Sequence, residues 1–399
     1  MISRSTFIVL GALSASGPLS MDLYLPGVPG LERQLSVSPS LAQLTLSACL
    51  VGLALGQLFA GPLSDRVGRR RPLLVGVAIF AIASLGCALA PNLTSLIILR
   101  LIQGLAGAAG IVLSRAVIRD THTAEQSVVA FSRLMVVIGA APILAPVAGG
   151  AILLVTDWRG IFYVLAVIGV FLFVATWLWV PESLSLELRH RGGIGAQFRI
   201  FGRLIRDRTL VGYALGGSFA GAAMLTYISM SSLVLQAMYH LTPLQFSFVF
   251  AVNSVGVVGL SQLNARWVRR FSPRGLILVA IIAGLVASFG LIGAGIGGLS
   301  LTFVLIPLFV AVAAQGIVGP NTTGLALAPH AAAAGAAAAL LGSLQFLIGA
   351  VIPPAVSGAG VSVTLMGVTM TVCFVVALGA IVVVGRQRAR TIPVAVNAE

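Results

Sequence analysis

Apolar runs of about twenty residues alternate along this chain with short polar turns, and that alternation dominates the sequence. Twelve runs stand out, at 5–27, 40–61, 73–90, 95–115, 128–154, 160–180, 209–237, 244–264, 275–295, 300–320, 333–356 and 362–385. A helix rising about 1.5 Å per residue needs about twenty residues to cross the hydrocarbon layer, and each run is of that order. None alternates with the period of two that a membrane barrel strand requires. The expected fold is therefore an all-α polytopic membrane protein of twelve transmembrane helices. The first run raises the question of a cleaved leader, with Ala15 as the cleavage point. Its apolar residues continue to Leu31 and a single positive charge precedes it, which speaks for a retained first span.

The turns between the runs differ sharply in charge. Loops after even-numbered spans carry Arg66, Arg69, Arg70 and Arg71, then Arg115 and Arg119, then six arginines from Arg189 to Arg208, then Arg266, Arg269, Arg270 and Arg274. The tail adds Arg386, Arg388 and Arg390. Loops after odd-numbered spans hold only Arg33 and Arg159, each near an acid, Glu32 or Asp157. Basic loops stay on the cytoplasmic side, so both termini are expected there. The longest polar stretch, 181–208, reads as a cytoplasmic linker between an N-terminal six-helix half, 1–180, and a C-terminal half, 209–385, followed by a cytoplasmic tail, 386–399. The halves resemble each other. Gly56, Arg66, Arg69 and Arg70 recur 200 residues later as Gly256, Arg266, Arg269 and Arg270, and Gln103-Gly104 with Gly107 recurs as Gln315-Gly316 with Gly319. Two parallel repeats suit a transporter whose halves rock about a central site.

Composition narrows the function further. Of the 399 residues 58% are hydrophobic and 9% charged, with a mean hydropathy of +1.08, too apolar for a soluble core and surface. The formal charge of +14 comes from arginine, because no lysine occurs. In a soluble protein this would suggest nucleic acid; between spans it indicates topology and contact with anionic lipid. Without lysine there is no phosphate-loop ATP site and no Schiff-base chemistry. Cys49, Cys87 and Cys373 lie inside apolar runs without metal spacing. His122, His190, His240 and His330 are scattered one per loop.

Charge inside a span is the most informative feature of such a chain. Of ten acids only Asp22 lies within an apolar run, in Met21-Asp22-Leu23-Tyr24-Leu25-Pro26. Low dielectric disfavours a carboxylate's charged form, which makes Asp22 a natural proton or cation site. Alternatively it hydrates the broken helix end before Pro26. Arg100 is the one arginine well inside a span; it either tunes the proton site or snorkels toward the turn at Asn92–Ser95. Span five carries Gly139, Pro142, Pro146, Gly149 and Gly150, a bent and closely packed element whose kink is either a pivot or static packing. Pro353 and Pro354 hold a comparable place in span eleven. Asp65, with Arg66, Arg69, Arg70 and Arg115, suggests a conformational lock, Asp65 reaching either Arg115 or the start of span eleven near Ala331–Ala334. Polar residues in the spans that could line a cavity include Tyr24, Gln103, Tyr227, Asn253, Gln315 and Gln345, though each suits an interhelical hydrogen bond equally well.

These motifs carry a resemblance. Gly56-Gln57-Leu58-Phe59-Ala60-Gly61-Pro62-Leu63-Ser64-Asp65-Arg66-Val67-Gly68-Arg69-Arg70 resembles the signature loop of the major facilitator superfamily. Arg100, Gln103, Gly104, Gly107 and Arg115 resemble its span-four signature, and Gly139–Gly150 the span-five signature of exporters. Asp22 with Tyr24, Leu25, Pro26 and Pro29, and the stretch from Gly316 to Phe346, are similar to the Bcr/CflA-type drug:proton antiporters. The resemblance covers nearly the whole chain. It implies export of drug-like small molecules, such as chloramphenicol, bicyclomycin, sulfonamides or lipophilic cations, in exchange for protons. It also implies the cytoplasmic (inner) membrane of a bacterium, Asp22 as proton acceptor and Arg100 as its support. No cofactor is expected beyond the coupling protons, no nucleic acid partner, and a monomer in the lipid bilayer. Relatives with a second acid in span one differ from this chain, which offers Ser14 and Ser16 there, so strongly cationic substrates are disfavoured. A nutrient or metabolite transporter of the same fold is the alternative. An intramembrane enzyme is disfavoured by the lack of an H-E-x-x-H motif, a catalytic lysine or paired intramembrane carboxylates. A receptor or scaffold on a transporter fold is disfavoured by the buried Asp22 and Arg100.

Overall fold

The computed structural model describes residues 3–189, 194–358 and 360–391. Among them are helices and turns but no strand. The helices are α1 (Arg4–Asp22), α2 (Val28–Leu35), α3 (Pro39–Val67), α4 (Arg70–Leu89), α5 (Leu93–Thr121), α6 (Ala124–Ile152), α7 (Trp158–Trp179) and α8 (Ile194–Leu204). They continue as α9 (Arg208–Leu233), α10 (Pro243–Trp267), α11 (Pro273–Ile296), α12 (Leu301–Ala313), α13 (Gln315–Leu327), α14 (Ala334–Ser357) and α15 (Val363–Thr391). Eleven stretches among the described residues are long and apolar enough to cross a membrane, and a further, shorter apolar stretch covers Val137–Ile152.

Side-chain caps start many helices. Ser38, Asn92, Thr123, Asp157, Asp207, Thr242 and Ser272 each accept a backbone N–H of the first turn, so the polar turns seen in the sequence are helix-start signals as well as breaks. Several helices outrun the apolar runs that announce them. The second run ends at 61, whereas α3 continues to Val67, and the fourth ends at 115, whereas α5 continues to Thr121. Both extensions lie at the arginine-rich end, where a helix leaves hydrocarbon without losing its backbone bonds.

The first and tenth spans are not single helices. Asp22 ends α1, a short 3₁₀ turn follows at Leu25–Gly27, and α2 carries on to Leu35. The tenth span divides at Ala314 into α12 and α13. The stretch 181–208 is also more than a polar connector. Its helix α8 buries Phe201 and Leu204 against Leu210, Ala336 and Ala337 and so packs on the start of α14. Periodicity within a short, arginine-rich segment is masked by its mean polarity. His190 and Arg191 lie outside the described residues.

The interior mixes a large apolar core with many buried polar and small residues. Ser14, Gln43, Thr45, Ser84, Arg100, Gln103 and Ser231 are fully buried, whereas Val155, Phe171, Val279 and Phe303 face outward. Buried polar side chains together with large outward-facing apolar ones are the mark of a bundle solvated by lipid. Helices approach closely where glycine permits it. A Cβ on Gly104 would run into the Cys49 carbonyl, and one on Gly52 into the Leu101 carbonyl, so α3 and α5 touch backbone to backbone. Gly316 meets the Val257 carbonyl in the same way, which joins α13 to α10. α1 and α3 to α7 pack among themselves, as do α9 to α15; α3 packs on α14 and α6 on α10 to connect the two groups.

Candidate functional site

The break after α1 builds the centre of the molecule. The 3₁₀ turn containing Pro26 leaves carbonyl lone pairs open to donors from elsewhere in the bundle, although the Leu25 carbonyl already accepts the Val28 N–H. Side chains of α9 and the π-turn that follows it satisfy them: Ser232 Oγ donates to the Leu25 carbonyl at 2.7 Å and Gln236 Nε2 to the Pro26 carbonyl at 3.2 Å. The broken end is therefore capped from across the bundle, and Asp22 is not its cap. Asp22 as a residue is 6% exposed, and its carboxyl group makes no hydrogen bond or ion pair with any described residue. It lies within electrostatic reach of Tyr227.

Arg100 is fully buried, so it does not snorkel. Its Nη1 donates to the Ser20 carbonyl at 3.1 Å and to Gln103 Oε1 at 2.7 Å, and its Nε to the Thr45 carbonyl at 3.3 Å. The guanidinium also lies over the rings of Tyr24, at 4.9 Å, and Phe162, at 5.5 Å. Nη2 is buried without a hydrogen-bond partner. Every partner is uncharged. No ion pair joins Arg100 to Asp22; their connection runs through the backbone at Ser20, two residues before the acid. Gln103 passes its amide hydrogen to Ser84 Oγ at 2.7 Å, and the Tyr24 hydroxyl lies 3.1 Å from Thr45 Oγ1. Tyr24 and Gln103 thus belong to one buried cluster around Arg100, closed by Phe162 and Trp158.

A second cluster sits on the other side of the bundle. Asn253 Nδ2 donates to the Tyr227 hydroxyl at 2.9 Å, and Tyr227 stacks on Phe250 with centroids 5.3 Å apart. Gln345 lies against Gly221 of α9. Gln315, on α13, is half-buried, and its Oε1 has no partner. Of the six polar candidates, Tyr24 and Gln103 therefore belong to the first cluster and Tyr227 and Asn253 to the second, while Gln315 and Gln345 join neither.

The prolines of α6 have a definite consequence. Pro146 has no N–H to give to the carbonyl of residue 142, four positions earlier. That freed Pro142 carbonyl accepts Ser254 Oγ of α10 at 3.0 Å. Gly149 allows the Leu23 carbonyl to approach, and Gly150 faces Ser247 and Leu244 of α10. Gly139 is in ordinary contact with Val258. Gly139, Gly150 and the Pro142 carbonyl build the α6–α10 seam, and Gly149 packs α6 on the break after α1. The α3–α14 seam is held by Ser343 Oγ donating to the Ala54 carbonyl at 2.8 Å and by Ser357 Oγ donating to Gln43 Oε1 at 2.6 Å.

At the arginine-rich end the structure corrects the expected partner of Asp65. Asp65 pairs with Arg69 Nη1 at 2.5 Å, four residues on and across the Gly68 turn, and not with Arg115. Nη1 also donates to Ser64 Oγ at 2.6 Å, and Nε pairs with Asp120 Oδ2 at 2.8 Å. Asp65 lies in the last turn of α3 and Arg69 caps the start of α4, so the pairing closes across the Gly68 turn and needed α3's extension to Val67. Although partial burial opposes its charge, Asp120 and Asp65 hold the Arg69 guanidinium above its ordinary range. Glu182, counted in the sequence only as a linker acid, closes the turn. Its Oε1 accepts the Arg69 backbone N–H at 2.8 Å and the Leu184 N–H at 3.0 Å, its Oε2 accepts the Arg70 N–H at 3.3 Å, and Arg189 lies 3.8 Å away. Partial burial pushes the Glu182 carboxyl up, but these N–H groups and Arg189 outweigh it and hold it below the ordinary range. Gly68, at φ 96°, brings the chain close enough for this contact. Arg70 Nη2 donates to the Trp177 carbonyl at 2.6 Å, and Arg66 is exposed. Asp120 and Glu182 escaped the sequence reading because nothing local marks which loop acid a distant guanidinium or helix start will meet.

The sequence profile described as the Major Facilitator Superfamily matches residues 9–354. The chain is 39% identical to an uncharacterized MFS-type transporter, YdgK, of Bacillus subtilis (strain 168), over 92% of each chain. It is 30% identical to a bicyclomycin resistance protein homolog of Haemophilus influenzae, over 87% of this chain and 88% of that one. Its fold matches a crystal structure of a D-xylose-proton symporter with a TM-score of 0.74 at 17% identity, over 96% of this chain and 97% of that one.

Proposed function

This chain belongs to the Major Facilitator Superfamily, and from there we propose that it exports drug-like, amphipathic small molecules in exchange for protons. On this reading it crosses the cytoplasmic membrane of a bacterium twelve times, with both termini inside, and works as a monomer of two six-helix halves joined by residues 181–208. Protons are its coupling ion and it uses no other cofactor. The relative named for bicyclomycin resistance supports an antibiotic-like substrate.

The observation that carries the reading is Asp22, a buried acid without a protein partner at the end of a broken helix. A buried charge is costly, so protonation changes the cost of keeping this residue enclosed. The carbonyls just after it are held by Ser232 and Gln236, so a change at Asp22 is felt at the contact between α1 and α9. Proton uptake and substrate binding then favour opposite-facing states, and that difference in affinity couples the two fluxes. Arg100 fixes the backbone before Asp22 and keeps positive charge nearby. The α6–α10 and α3–α14 seams are where the halves separate, and the Arg69 network steadies the other end.

The test uses inside-out membrane vesicles with a proton gradient reported by a pH-sensitive dye, a small panel of antibiotics and dyes, and Asp22→Asn. A compound that dissipates the gradient with the unaltered protein but not with the variant is the expected result. Dissipation that survives the substitution moves the proton site away from Asp22. No response to any compound transfers the reading to a metabolite transporter.

A further inference from the structure

We propose that a cavity at the arginine-rich end binds the head of an amphipathic anion, a carboxylate or phosphate carrying an apolar tail. The cavity measures about 320 Å³ and lies between α3, α5, α6, α8 and the start of α14. Arg115 and Arg119, one turn apart on α5, both line it and are exposed within it. Neither makes a hydrogen bond or ion pair with any described residue. The nearby acids are already engaged, since Asp65 and Asp120 share Arg69. Asp65 and Arg69 also line the cavity but are paired with each other, so Arg115 and Arg119 face it without a carboxylate partner and the lining is net positive.

The opposite wall adds to this. The first turn of α14, a 24-residue helix, borders the same cavity, and its cap residue Ala333 supplies no side-chain acceptor. Gly335 stands beside Arg119, where a Cβ would lie 3.4 Å from Nη1. An anion at this place meets two forked donors and the positive end of a helix. Besides Gln57 and the paired Asp65 and Arg69, the rest of the lining is apolar or small, including Ile111, Val112, Phe131 and Ile200, and suits a hydrocarbon tail. A simple inorganic anion would leave that wall unused, and an amphipathic cation would meet the wrong charge.

The same chemistry is offered by an anionic phospholipid of the adjoining leaflet and by a free amphipathic acid. Binding is the claim, so it stands or falls separately from proton exchange. Octanoate is titrated by calorimetry into the full-length protein in phosphatidylcholine nanodiscs, with octylammonium as the cationic control. Octanoate should bind the unaltered protein, lose at least about tenfold in affinity in the Arg115→Gln/Arg119→Gln variant, and keep its affinity in Arg270→Gln, an exposed arginine of another turn. In the unaltered protein, inorganic phosphate should compete with octanoate, a measurement that needs no variant to fold. A parallel thermal series replaces part of the phosphatidylcholine with phosphatidylglycerol. Stabilisation by phosphatidylglycerol that needs Arg115 and Arg119 assigns the site to lipid, and octanoate binding without it assigns the site to a free acid. The proposal is overturned if octanoate and phosphatidylglycerol both act without regard to these two arginines, or if octylammonium binds as well as octanoate.

Discussion

Replacing Arg100 separates what its charge does from what its shape does. Its guanidinium makes two well-placed hydrogen bonds, at 2.7 and 3.1 Å, and one long one at 3.3 Å. Hydrogen bonds to a charged donor are worth about 1.5–3 kcal/mol each, so the two good ones represent about 3–6 kcal/mol gross. Against this stands the cost of holding a cation in a water-free interior with no acid partner, several kcal/mol. Arg100→Met keeps most of the volume and removes both terms, so its stability should stay within about 2 kcal/mol of the original. Arg100→Lys keeps the charge on a single nitrogen that cannot reach three acceptors on different helices. It should lose about 3 kcal/mol, more than Met loses. Both variants should lose proton exchange, because neither holds the Ser20 carbonyl beside Asp22 in the same way. The assay is unfolding by a graded denaturing detergent, paired with vesicle proton exchange on the same preparations. If Arg100→Lys is as stable and as active as the original, the fork geometry is irrelevant and the account of this cluster is wrong.

Three further outcomes can be checked. Gly104→Val places a side chain against the Cys49 backbone, which has no flexible end to move, so it should cost more than about 3 kcal/mol and reduce folded yield in the membrane; a normal yield would mean α3 and α5 are not in backbone contact. Ser254→Ala orphans the Pro142 carbonyl and should destabilise by about 1–2 kcal/mol, whereas Ser254→Ala combined with Pro146→Ala, which restores a helical donor to that carbonyl, should recover part of the loss. Glu182 titrates below its ordinary value near 4.5, so its stabilising contribution is present above that value and is lost as pH falls through the lowered one. Thermal unfolding of the unaltered protein should therefore weaken in that acid window, and Glu182→Gln should start slightly less stable at neutral pH and lose that part of the acid dependence.

The sequence determined a good deal without help. Runs of about twenty apolar residues can only be satisfied as helices in lipid, so the all-helical, membrane-crossing architecture follows from backbone chemistry. Asp22 and Arg100 announced themselves because charge is rare and costly in such runs. The small residues of α5 and α6 marked close approach for the same reason that glycine permits it anywhere, the absence of a Cβ. What these residues touch was decided only by the tertiary structure. Arg100 was expected to tune the proton site or to snorkel, yet it turns to three uncharged acceptors, one of them the Ser20 carbonyl two residues before Asp22. Asp65 found Arg69 across the Gly68 turn and left Arg115 open to a cavity that no single segment contains. Glu182, more than a hundred residues downstream, became the acceptor for the start of α4. A period or a spacing reports on neighbours along one helix, whereas a hydrogen bond between helices depends on how two rigid rods are rotated and set in depth. That information lies in the sum of many packing contacts, and no local pattern carries it.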